Sequence, residues 1–95
     1  MPLSRSTKLS PHWYGTCFDV NVINGKGIND DGEAAKPDTL RFMLALNDLK
    51  NTDLVPNQVI CSGNGREDPD ILKLQIGVPG NDPVAGHDNH VHVGY

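Results

Sequence analysis

Cysteine is nearly absent from this chain. Its two cysteines, Cys17 and Cys61, cannot form the disulfide framework that holds many small secreted domains together. One bridge in an oxidising compartment and two small buried thiols both fit that count, and free thiols are the favoured reading. No C-x-x-C occurs, so the chain lacks the basis of a cysteine-bound structural zinc site. No apolar run approaches the roughly 20 residues of a membrane span, and Met1-Pro2-Leu3-Ser4-Arg5 has no signal-peptide core behind it. Positive charge is also short. Eight Lys and Arg, scattered along the chain, face twelve Asp and Glu, and the net charge of −4 argues against nucleic acid or an anionic membrane surface as a partner. Internal repeats and low-complexity tracts are missing.

What remains is the composition of one folded, loop-rich domain over residues 1–95: 37 % hydrophobic residues are enough for a modest core, and ten glycines supply the turns. Cys17 to Ile23 alternates with period two, predicting a half-buried strand with Phe18, Val20 and Val22 on one face. Cys17, Asp19 and Asn21 then look toward a cleft. Asn24-Gly25 has the chemistry of a tight turn. The polar stretch from Gly25 to Lys36 holds Asp30, Asp31 and Glu33 without the alternating spacing of a calcium loop, which predicts a solvated loop at the rim of that cleft. Pro37-Asp38-Thr39 opens the one clear helix, Asp38 serving as N-cap or as N-terminal acid. Its apolar stripe is Phe42, Met43, Leu46 and Leu49, widened by Leu40 and Leu44, and Pro56 bars its continuation beyond Asn51-Thr52-Asp53. Gln58 to Ser62 reads as a second strand. Ile71 to Gly77 reads as a third, with a helical turn over Asp70 to Lys73 as the alternative.

Histidine is where the sequence becomes unusual. Three of four histidines fall within six positions, His87-Asp88-Asn89-His90-Val91-His92, and the fourth is His12. On a strand, His90 and His92 leave one face while Val91, Val93 and Tyr95 fill the other. An H-x-H pair alone is weak evidence for a metal, and H-E-x-x-H is missing; surface or core histidines with no special task are the plain alternative. The two ends of the chain together say more. His12, Asp19 and His92 offer two imidazoles and a carboxylate, leaving a fourth tetrahedral position for water, which is the catalytic rather than the structural pattern of zinc.

Ser10-x-His12-x-x-Gly15-x-x-x-Asp19, followed by His90-x-His92, resembles the zinc peptidases of the D-alanyl-D-alanine metallopeptidase superfamily. His87 ahead of that pair is most similar to the penicillin-insensitive murein endopeptidase branch, and the hedgehog signalling domain is a further relative. The resemblance covers Ser10 to Asp19 and Gly86 to Tyr95. It implies that His12, Asp19 and His92 bind Zn2+. His90 would handle the proton or stabilise the tetrahedral intermediate, and His87 would be a further polar group, which requires a bend near Asp88 because a straight strand would point it away from His90. Ser10 would support the first motif through a hydrogen bond. Trp13 and Tyr14 would line the substrate groove or simply pack. Cys17 stands where the family usually has a small residue.

The expectation is therefore an α+β domain: a small antiparallel sheet with one main helix on one face and the zinc site on the other. Its implied activity is zinc-dependent carboxypeptidase or endopeptidase hydrolysis of peptidoglycan stem or cross-link peptides at the bacterial cell wall. A catalytically inactive, zinc-stabilised binding or structural module is the alternative.

Overall fold

A computed structural model describes residues 16–64 and 67–95. Ser10, His12, Trp13 and Tyr14 lie outside the described residues. The first strand, β1 (Cys17–Val20), pairs with the last, β5 (Val91–Gly94), and the antiparallel register sets Phe18 opposite Val93 and Asp19 opposite His92. On its other side β5 pairs, again antiparallel, with β4 (Gln58–Ile60), which sets Val59 opposite Val93 and Ile60 opposite His92. The sheet order is thus β1-β5-β4, and the histidine-bearing strand is the middle one.

Period two divides this sheet into two chemistries. Val59, Val91 and Val93 enter a buried cluster completed by Ile28, Cys61 and Ile71 and by Met43 and Leu46 of the main helix. Asp19, His92 and Ile60 occupy the opposite face, one per strand in a single row.

Two expectations for the first strand need correction. It breaks at Asn21: Val22–Ile23 forms a separate strand, β2, paired with β3 (Lys26–Gly27) in a two-stranded ribbon. Asn24 and Gly25 turn that ribbon with φ of 52° and 78°, the paired positive values that a tight hairpin asks of Asn-Gly. Val22 no longer continues the face of β1 and is 55 % exposed. Phe18 is 48 % exposed, because it lies on an outer strand while the buried cluster is built on β4 and β5.

The main helix, α1 (Lys36–Asn47), carries Pro37 in its first turn and runs on into a 3-10 turn at Asp48–Asn51. Its N-cap is Ala35 with no side-chain cap, so Asp38 is the acid of the first turn. That carboxylate accepts from Lys26 Nζ and Arg41 Nη1, each at 3.0 Å, and so ties the hairpin to the helix. Met43 and Leu46 are buried, and Leu40, Phe42 and Leu49 pack partly against the core. Leu44 stays outside the stripe, exposed.

Ile71 to Gly77 does not form a third strand. Asp68 caps a helical turn, α2 (Pro69–Leu72), by accepting from the backbone of Asp70 at 2.9 Å and Ile71 at 3.3 Å. An N-cap acid followed by proline is a helix start signal, and here it overrides the apolar run. Only Ile76 is extended, bridging to Val59. Among the described residues no helix is long and apolar enough to cross a membrane.

The Lys26 hydrogen bond, outweighing burial, holds the Asp38 carboxyl below its ordinary pKa of 3.8. As pH falls the unfolded chain takes up this proton first. The contribution of Asp38 is therefore full above about pH 4 and vanishes as pH drops through the lower folded-state value. Asp38→Asn is expected to be less stable at neutral pH and to lose less stability on acidification, as read from urea midpoints across that range.

Candidate functional site

Each strand of the sheet brings one polar side chain to the same spot. His92, 5 % exposed at the centre of β5, has Nδ1 3.3 Å from Asp19 Oδ1 of β1. Its Nε2 lies 3.0 Å from Gln58 Oε1 of β4. His90 approaches from the segment before β5, with Nε2 3.8 Å from Asp19 Oδ1.

That segment bends at residues 88–90, so β5 begins only at Val91. His90 therefore precedes the strand instead of lying on it. The bend brings His87 to the same side: its ring is 5.0 Å from that of His90 and 5.8 Å, edge-on, from that of His92, centroid to centroid. The backbone holds the segment by Ser62 N–H donating to His87 O at 2.7 Å. Local acceptors engage Nδ1 of both outer histidines, Ala85 O at 3.0 Å for His87 and Asn89 Oδ1 at 2.8 Å for His90. Because a backbone carbonyl only accepts, the neutral His87 ring carries its proton on Nδ1; His90 does the same when the Asn89 amide oxygen faces it.

Asp19, His87, His90 and His92 are thus gathered together, while His12 lies outside the described residues. Among those described, no group of three His, Cys, Asp or Glu side chains is arranged to hold a metal. The donor set nonetheless fits one as a partial site. Two ligand atoms each about 2.0–2.1 Å from a tetrahedral zinc stand about 3.3–3.4 Å apart. Asp19 Oδ1 and His92 Nδ1 have that separation, which is long for an N–H···O bond.

Beside the pair opens a cleft of about 300 Å³, lined by Asp19, Asn21, Asn89 and His90. It shares Asn21 and Asn89 with a smaller pocket of about 110 Å³ that reaches Gly27, Ile28, Asn29 and Asp30. The polar loop after β3 forms this rim. Another cleft, of about 360 Å³, is lined by Ser62, Glu67, Val84 and Asp88 along the loop leading to the histidines. It lacks the histidines themselves, and the smaller cleft is the one at the candidate chemistry.

Gln58 and Asn89 are functional candidates that motif reading passes over. Both touch a histidine nitrogen. Period two assigns Gln58 to a polar strand face but does not say which strand lies beside it. Compared with protein-family models, curated proteins and solved structures, the chain matches none of them.

Cys17 and Cys61 are both free thiols. Cys17 shares the Asp19 face, and burial followed by the charge of Asp19 raises its pKa. Cys61 belongs to the core, where burial pushes its thiol up to about 11. Near pH 7.5 a small alkylating reagent is expected to modify Cys17 in the folded protein and Cys61 only in denaturant, since thiolate fraction and access both govern the rate. Intact-mass counting of adducts checks this.

Proposed function

We propose that this domain is a zinc-dependent peptidase that hydrolyses stem or cross-link peptides of peptidoglycan at the bacterial cell wall. The observation that carries the reading is the 3.3 Å spacing of Asp19 Oδ1 and His92 Nδ1, with two further imidazoles beside them at an open cleft. In this reading the zinc site lies on the sheet face opposite the helix, and His12 joins Asp19 and His92 as the third ligand.

Asp19, His92 and His12 would hold Zn2+, which would supply Lewis-acid polarisation of the scissile carbonyl and a lowered pKa for the attacking water. His90 takes up the water's proton at Nε2, while Asn89 holds Nδ1 and so orients the ring. His87 adds a polar, hydrogen-bonding ring next to His90. Asn21 and Asn89 line the cleft with amide groups that can donate to and accept from a peptide backbone.

Metal analysis of the untagged protein is expected to find one zinc per chain. A chelator is expected to lower the melting temperature, because an ion that binds only the folded state stabilises it. His90→Ala should keep the metal and lose about 10²–10⁴-fold in release of peptide fragments from purified peptidoglycan, followed by mass spectrometry. His92→Ala should lose metal affinity itself. Zinc-loaded protein that sediments with cell wall yet releases no fragment favours the binding module. Equal hydrolysis by wild type and His90→Ala removes the role given to His90.

A further inference from the structure

The Gln58 contact has a consequence for the chemistry of His92. A neutral imidazole has one nitrogen that donates and one that accepts. With the Gln58 amide turned so that Oε1 faces Nε2 at 3.0 Å, the oxygen accepts and Nε2 carries the hydrogen. The Nδ1 lone pair then faces Asp19 Oδ1 at 3.3 Å. In that tautomer both atoms can serve as ligands to a cation placed between them.

Gly94 makes this contact possible. It stands directly across from Gln58 in the β4–β5 ladder and two residues beyond His92, on the same face. A Cβ there would come 3.3 Å from Gln58 Oε1 and 3.6 Å from His92 Nε2, the two atoms that share the hydrogen. Gly94 is not among the glycines with positive φ, so the backbone does not demand its lack of a side chain. A side chain there would press on the Gln58 amide.

We propose that Gln58 is the positioning residue for His92. By accepting from Nε2 it fixes the tautomer that turns the Nδ1 lone pair toward Asp19, and Gly94 keeps the path between them clear. The purpose of this arrangement, presenting Nδ1 to a metal, rests on the zinc reading above; the tautomer itself does not. Ligating histidines are commonly oriented in this way, through an acceptor on the nitrogen that does not bind the metal. The opposite orientation of the Gln58 amide would have its NH2 donate to Nε2 and leave Nδ1–H donating to Asp19. The tautomer therefore decides between them.

The experiment is long-range 1H–15N correlation spectroscopy of the histidine rings in the metal-free protein. It is run at about pH 8.5, well above the ordinary imidazole pKa of about 6.5, with circular dichroism on each variant to check folding. Wild type is expected to hold His92 as the Nε2–H tautomer. Gln58→Met, similar in length but without an acceptor, should shift His92 toward the Nδ1–H tautomer that donates to Asp19, and Gln58→Glu, which keeps the acceptor, should restore the wild-type signature. Gly94→Ala should move the spectrum the way Gln58→Met does. In zinc titrations of the same proteins, Gln58→Met should bind roughly 10–100-fold more weakly and Gln58→Glu should recover most of that loss. An Nδ1–H tautomer in the wild type overturns the proposal without reference to any variant, and an unchanged His92 signature in folded Gln58→Met overturns it as well. If the tautomer responds as expected but the wild type binds no zinc, Gln58 keeps its role and the metallopeptidase reading fails.

Discussion

In an antiparallel pair, directly opposed residues share a face, so sliding β1 by one residue along β5 would turn Asp19 to the valine side and set Phe18 or Val20 in its place. The register is fastened at the open end of the pair by Tyr95 N–H donating to Thr16 O at 2.8 Å. On the β4 side it is fastened by Asn57, which donates from its backbone to Gly94 O at 2.7 Å and from its side chain to Tyr95 O at 2.8 Å. Val91 and Val93, fully buried below, have no comparable environment to move into. These fixings act on the backbone and the core. The polar row above inherits its alignment from them.

The outer histidines are held by different means. His87 and His90 sit on a bent segment, and their orientation comes from local hydrogen bonds of Nδ1 to Ala85 and Asn89. His92, in the sheet, is clamped between strands. A rigid imidazole thus lies beside two whose positions depend on a loop.

Where a short local rule dominates, the sequence is a sufficient guide: Asn24-Gly25 makes its hairpin, Pro37-Asp38 starts the helix, and Val91-His92-Val93 alternates as period two requires. Strand phase puts Asp19 and His92 each on a polar face, and the register of β1 with β5 sets the two against one another. Reading failed where a neighbour outside the local window decided the outcome. Phe18 is apolar and correctly phased, but its strand lies at the side of the buried cluster. Ile71 to Gly77 is apolar enough for a strand, yet the alternative reading, a helical turn near Asp70 to Lys73, is the one that forms, started by Asp68-Pro69. Gln58 could not be singled out, because its importance lies in standing across from Gly94, and strand adjacency is written nowhere in the 35 intervening residues.

The strand order also governs how the molecule assembles. β1 and β4 are not neighbours; each pairs with β5, which comes last in the chain and lies between them. Asp19 and His92 are 73 positions apart, so their meeting closes a long loop and belongs to the slow, non-local part of folding. Until β5 arrives, β1 and β4 both present unpaired backbone edges, the surfaces through which partly folded chains associate. A chain emerging from the ribosome can form its hairpin and helices early, but neither the sheet nor the histidine cluster exists before the final strand is inserted. Asp19, Gln58 and His92 therefore meet only in molecules in which β5 has paired with both of its neighbours.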